Sequence, residues 1–111
     1  MYAPRCASLP GVTSVQIDEW TVLAAVADPV RRRIVQLLAD EQLCTCHVVG
    51  ELALKQPLVS HHLRVLREAG VVEATPCGRF TYYRLRPEVL GAAAAALGAL
   101  AGRGEPMRRP C

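Results

Sequence analysis

Cys44 and Cys46, separated by Thr45, stand where the polar connection Asp40-Glu41-Gln42 gives way to a helical pattern. Two thiols this close at a helix start are favoured as thiolates, because the positive end of the helix dipole stabilises negative charge there. Thiolate is the form that binds soft metals and metalloids, and ligation would pull on whatever the helix carries. The plainer alternative is a pair of buried sulfurs packing as small hydrophobes. In a regular helix, residues two apart point about 200° away from each other. Both sulfurs therefore grip one ion only if the first turn unwinds or if Cys44 lies before it. The other cysteines are Cys6, Cys77 and Cys111; five is an odd number, which argues against a disulfide framework and for metal or redox chemistry.

The elements around this pair read clearly. Residues 1–12 form an irregular arm carrying Cys6. Thr13-Ser14-Val15-Gln16 matches a capping box, opening a helix with an apolar stripe at Trp20, Leu23, Ala24 and Ala27. Asp28-Pro29 ends it and starts the next, Asp28 as N-cap and Pro29 as the pre-set first residue, with Val30, Ile34, Leu37 and Leu38 at helical spacing. A short third helix runs from about Thr45 to Leu54, turning Val48, Val49 and Leu52 inward. Lys55-Gln56-Pro57 turns into a fourth, ending near Ala69 with Gly70 at the C′ position.

The period then becomes extended. Residues 71–75 and 80–85 flank Pro76-Cys77-Gly78-Arg79, a hairpin with glycine in its turn. Pro87 starts a last helix, whose small side chains over Ala92–Leu100 suit close packing, and residues 102–111 form a mobile tail. Two helices joined by a tight turn and followed by a hairpin predict a mostly α winged helix-turn-helix over residues 13–101.

Length and charge narrow the possibilities. The 111 residues allow one domain, only just large enough for its own core, which favours a dimer. Residues 1–50 carry four arginines against five acids, whereas residues 51–111 carry nine basic residues against five acids. That asymmetry suits a phosphate backbone. Met1–Val12 holds Pro4, Arg5 and Pro10 and no apolar run, and the Ala-rich stretch near the C-terminus is too short to span a bilayer. The expectation is a cytoplasmic protein without a membrane segment.

The fourth helix carries the face a major-groove reader needs. Gln56, Ser60 and His61 are placed for base edges, Arg64 for phosphate or guanine, and Lys55 for the backbone. Arg79, at the hairpin tip, is placed for the minor groove or a phosphate. The competing reading is a solvated helix face, and Arg31-Arg32-Arg33 is read that way. His62 lies toward the apolar side and reads as a satisfied core-edge histidine.

With these pieces in place, the chain resembles the ArsR/SmtB family of metal-responsive repressors. The likeness covers residues 20–90. It is carried by Ala27-Asp28-Pro29-Val30-Arg31, Leu43-Cys44-Thr45-Cys46, Gln56-Pro57-Leu58-Val59-Ser60-His61-His62-Leu63, Val65-Leu66-Arg67-Glu68-Ala69-Gly70-Val71-Val72 and Gly78-Arg79-Phe80-Thr81-Tyr82-Tyr83-Arg84-Leu85. The resemblance implies a homodimer built through the first and last helices, operator DNA bound without effector, and release when metal binds. A metal site on the last helix is not expected, since that helix offers Glu88 and no histidine. The third-helix site keeps Cys44 and Cys46, but the third cysteine of arsenic-sensing members falls here on Val49. A three-thiolate site then draws its third sulfur from the arm, as in cadmium/lead-sensing members: Cys6, with Cys111 as the weaker candidate. Cys77 reads as an exposed bystander. His47 suits zinc better than arsenic.

The expected function is a repressor released by trivalent arsenic or antimony, the alternative being cadmium or lead on the same fold. A cysteine-pair redox switch is a further rival. A small thiol oxidoreductase is disfavoured, because such enzymes use C-x-x-C beside a βαβ pattern and none is present.

Overall fold

The computed structural model describes residues 17–111. The arm with Cys6 and the capping box at Thr13–Gln16 lie outside the described residues. The first helix, α1 (Glu19–Ala27), takes its cap from Asp18, whose carboxylate accepts from the Trp20 and Thr21 amides at 3.4 and 3.3 Å and from the Thr21 hydroxyl at 2.8 Å. It buries Val22 and Ala25 rather than the expected stripe, and Trp20 is 51% exposed. The reason is that α1 is apolar almost all round, so periodicity alone does not select its inward face.

Asp28 caps α2 (Pro29–Leu38) as expected, accepting from the Val30 and Arg31 amides at 2.9 and 3.0 Å. A two-residue strand that the sequence did not announce, β1 (Leu43–Cys44), precedes α3 (Thr45–Leu52). The third helix stops two residues early because Ala53 adopts a left-handed φ of 53°. Then come α4 (Gln56–Glu68), the hairpin strands β2 (Val72–Cys77) and β3 (Phe80–Leu85), and α5 (Pro87–Ala101).

The core forms around α4. Val59, Leu63 and Leu66 are fully buried on it, meeting Val22, Ile34 and Val48 from the three preceding helices and Val71 at the entry to the hairpin. The end of α4 is a Schellman closure: the Gly70 amide donates to the Arg67 carbonyl at 3.0 Å and the Val71 amide to that of Leu66 at 2.9 Å. The accompanying apolar contact is supplied by Leu66 and Val71, both at zero exposure. This bend turns the chain from reading helix into hairpin.

The sheet runs β1-β3-β2, all antiparallel, with β3 in the centre. Cys77 faces Phe80 across a two-residue turn, where Gly78 takes φ 62°. Positive φ at the first turn position alone fits the type II′ pattern. On the far side α5 packs on α1 and buries only Val89 and Ala93, while Leu97 and Leu100 are about half exposed. The Ala-rich segment thus presents most of its surface outward within one chain.

Gly70 is a conformational requirement: its φ is 83°, and a Cβ there would sit 2.9 Å from Ile17 Cγ1. Gly70→Ala is expected to cost about 1–3 kcal/mol in denaturant unfolding. A loss under about 0.5 kcal/mol, the range of a neutral surface change, would show that the bend tolerates a side chain.

Candidate functional site

The reading surface is built by the turn Ala53-Leu54-Lys55 and the first turns of α4. Burial of Val59, His62, Leu63 and Leu66 on one side turns Lys55, Gln56, His61 and Arg64 to solvent, with Ser60 half-buried at the flank. Arg79 is exposed in the hairpin turn. Charge assignments separate free cations from structural ones. Arg84 pairs with Glu73 at 2.9 Å, and Arg86 reaches Glu73 at 3.4 Å and Glu88 at 3.1 Å. Among the described residues, Lys55, Arg64 and Arg79 are in no ion pair, and so remain available to phosphate.

Two residues that fix this surface are more structural than a solvated face. Arg31 is half-buried: its Nε donates to the Ala25 carbonyl at 2.6 Å and its guanidinium meets His62 Nδ1 at 3.1 Å. This corrects the reading of all three arginines as solvated; Arg32 and Arg33 are exposed, but Arg31 ties the end of α1 to the reading helix. Because guanidinium only donates, Nδ1 must accept and His62 is the neutral Nε2–H tautomer. His62 is 8% exposed, and burial, together with the nearby charge of Arg31 and His61, holds its pKa below the ordinary histidine value against the pull of Asp28, 3.9 Å away. The unfolded chain therefore binds this proton more readily than the folded one. Stability from His62 is complete above about pH 6.5 and is lost as pH falls from there toward the folded-state value. Unfolding titrations between pH 7.5 and 5 should show this decline, and His62→Gln should flatten it. An unchanged slope in the variant would assign the decline to other groups.

The thiol pair sits on the opposite end of the helix-turn-helix from Lys55. Cys44 is the N-cap of α3, in extended conformation (φ −85°, ψ 166°), so it precedes the helix and Cys46 lies within its first turn. The two sulfurs and a His47 ring nitrogen all lie within 4.8 Å of one another. No unwinding is needed to bring them together: of the two arrangements open to the pair, Cys44 takes the one that lies before the first turn. Cys44 is 2% exposed, whereas Cys46 and His47 face an open depression lined also by Glu41, Gln42, Gly50 and Glu51. An ion placed there would have a buried sulfur to hold it and an exposed side to enter by.

His47 completes this arrangement. Its Nδ1 accepts from the Cys44 amide at 3.2 Å and lies 3.2 Å from Cys44 Sγ. This is a capping box with cysteine and histidine in the places usual for serine and glutamate. The i, i+3 spacing was the signal in the sequence that could have placed His47 at the site. Burial resists ionisation of Cys44, but hydrogen bonding from Cys46 and from the His47 and Cys46 amides outweighs it and holds the thiol below its usual range. Cys46 moves the other way, pushed up chiefly by its interaction with Cys44 and also by burial. The expectation that the helix start would depress both thiols is therefore right for one: ionisation of the first opposes that of the second.

Cys77, half-buried at the end of β2, is disulfide-bonded rather than the exposed bystander expected. Cys111 is a free, exposed thiol outside the cluster. Cys6 lies outside the described residues. Among those residues, no helix is long and apolar enough to cross a membrane.

A winged helix-turn-helix with free cations on its reading helix and hairpin turn, and a thiol cluster behind them, defines a DNA-binding regulator. Residues 28–74 match the bacterial regulatory protein, arsR family. Over 69 residues the chain is 45% identical to the arsenic resistance transcriptional regulator ArsR1 of Pseudomonas putida, covering 61% of this chain and 54% of that protein. Over 64 residues it is 47% identical to the HTH-type transcriptional repressor SmtB of Mycobacterium tuberculosis, covering 58% of this chain and 47% of that protein. A solved structure described as a possible transcriptional regulator for arsenical resistance matches with a TM-score of 0.68 and 38% identity, over 72% of this chain and 83% of that one. The chain belongs to the ArsR family of bacterial regulatory proteins, and the relatives it matches are named as transcriptional regulators and repressors. It spans about half the length of the ArsR1 and SmtB relatives.

Proposed function

We propose that the chain is a homodimeric cytoplasmic repressor that holds operator DNA and is released by trivalent arsenic or antimony bound to cysteine sulfur. The observation that carries this reading is the juxtaposition of the Cys44 and Cys46 sulfurs at the start of α3, one helix before the reading helix. Their donor chemistry fits a soft, thiophilic ion, and the relatives named for arsenic resistance support the choice. When bound, the ion acts as a crosslink between thiolates. In the reduced protein Cys44 would hold it as the buried donor, Cys46 as the donor on the side of the open depression, and Cys6 as the third sulfur from the arm. A second reading, cadmium or lead, is favoured by one observation: the His47 nitrogen beside the sulfurs offers a donor that suits a divalent ion better than arsenic.

On the DNA side, Gln56, Ser60 and His61 read base edges, Arg64 and Lys55 hold the reading helix to the duplex, and Arg79 anchors the hairpin turn. Dimerisation through α1 and α5 covers Trp20, Leu97 and Leu100, which one chain leaves about half exposed. Each phosphate neutralised releases counterions. Arg79→Ala should therefore weaken operator binding and flatten the slope of log affinity against log salt by about one unit. An unchanged slope would remove Arg79 from the interface.

The sulfurs are tested in reduced protein by operator release, titrated separately with arsenite, antimonite, cadmium, lead and zinc. Cys44→Ser and Cys46→Ser should hold operator within a few-fold of wild type yet fail to release it. Cys6→Ser should respond weakly, and Cys77→Ser normally. X-ray absorption on the arsenite complex should count three sulfurs in wild type and fewer in Cys6→Ser. Normal release by both Cys44→Ser and Cys46→Ser would place the sensor elsewhere.

A further inference from the structure

The same strand that carries Cys44 is hydrogen-bonded to the hairpin, and this gives the thiol cluster a route to DNA that bypasses the reading helix. β1 pairs with β3 so that Cys44 lies opposite Tyr82 and Leu43 opposite Tyr83. Directly opposed residues share a face of the sheet. The buried Cys44 and the half-buried Tyr82 are therefore on one side, while Leu43 and Tyr83 pack toward the core on the other. The ring of His47 meets the ring of Tyr82 edge-on, with centroids 6.2 Å apart and planes at 60°. Three residues back along β3 from Tyr82, about 10 Å at the rise of a strand, is Arg79 in the exposed turn.

We infer that Tyr82 is a positioning residue that transmits occupancy of the Cys44–Cys46 site to the hairpin and its Arg79, through its contact with His47. The inference rests on the reading of that site as the effector site. His47 Nδ1 is engaged at once with the Cys44 amide and the Cys44 sulfur, each at 3.2 Å. Ligation of the sulfur changes that arrangement whichever way the imidazole responds: it joins as a donor, or it loses the Sγ contact to the ion. In both cases the ring resting on Tyr82 is re-seated. Tyr82 sits on the central strand, paired to Cys44 on one side and to Thr75 of β2 on the other. A tilt there moves both arms of the hairpin together, because the ladder from Val72↔Leu85 to Cys77↔Phe80 is continuous.

The test uses the full chain, reduced, with arsenite and cadmium as probes, and three separate measurements. Ion binding to free protein is followed by thiolate-to-metal absorbance. Operator affinity is measured with and without ion, the ratio being the coupling. Amide hydrogen exchange is followed in the free protein as ion is added. In wild type, ion should change exchange in residues 72–85 as well as in α3. Tyr82→Leu should keep ion affinity and ion-free operator affinity within about threefold, lose at least tenfold in coupling, and confine the exchange response to α3. Tyr82→Phe, which retains the ring, should couple like wild type. Coupling in Tyr82→Leu equal to wild type overturns the inference, as does equal loss in Tyr82→Phe. Should Tyr82→Leu fail to fold, the wild-type exchange decides alone: a response in α3 and α4 with none in residues 72–85 overturns it. A wild type that binds ion without releasing operator is a different result, and refutes the effector reading instead.

Discussion

The packing of α4 into the rest of the chain is the constraint on which everything else depends. One side of this helix must be dry enough to hold Val59, Leu63 and Leu66 at zero exposure, so that the other, the candidate DNA-reading face, is turned to solvent. Apolar packing is non-directional and does not by itself fix the rotation of a helix about its axis. That orientation is supplied by a polar contact: His62, one residue beyond the exposed His61, receives Arg31, which also grips the end of α1 through the Ala25 carbonyl. Asp28 adds to this knot by capping α2 at its first turn. Three helices thus meet at one guanidinium, and the reading surface inherits their rigidity.

Much of this was legible in the sequence because its signals were local. Asp28-Pro29, Gly70 after Ala69, and Gly78 between two runs of β-formers each solve a backbone problem within a few residues, and each reads the same way in the structure. The inward face of α1 was not legible, because a helix apolar on nearly every side has no preferred phase. Nor was β1, whose two residues have neither length nor alternation and exist as a strand only because β3 comes to lie beside them. Arg31 looked like one of three equivalent arginines. Only a long-range contact, thirty-one positions away at His62, distinguishes it.

The candidate site was legible by residue type and less so by geometry. The cysteine pair was plain, but its spacing left open whether the first turn unwinds or Cys44 lies before it. Placing Cys44 at the N-cap resolves that: extended backbone at the cap re-aims its side chain by more than a helical step, so the two sulfurs converge in the resting fold. The structure adds the asymmetry between them. One sulfur is buried and inclined to ionise, while the other is exposed and inclined to keep its proton. The contribution of His47 depends on its being three residues on, where a helix start turns a side chain back upon its own cap.

The choice of sulfur as a helix cap has a consequence of its own. A hydroxyl or carboxylate at this position is a compact, strong acceptor that clamps the first turn, as Asp18 and Asp28 do for the two helices before. Sulfur is larger and a weaker acceptor, so α3 begins on a softer anchor than α1 or α2. The sulfur that the proposed site would use thus occupies a position where oxygen would make the firmer cap. Affinity for a soft ion and firmness of the cap compete here for a single atom.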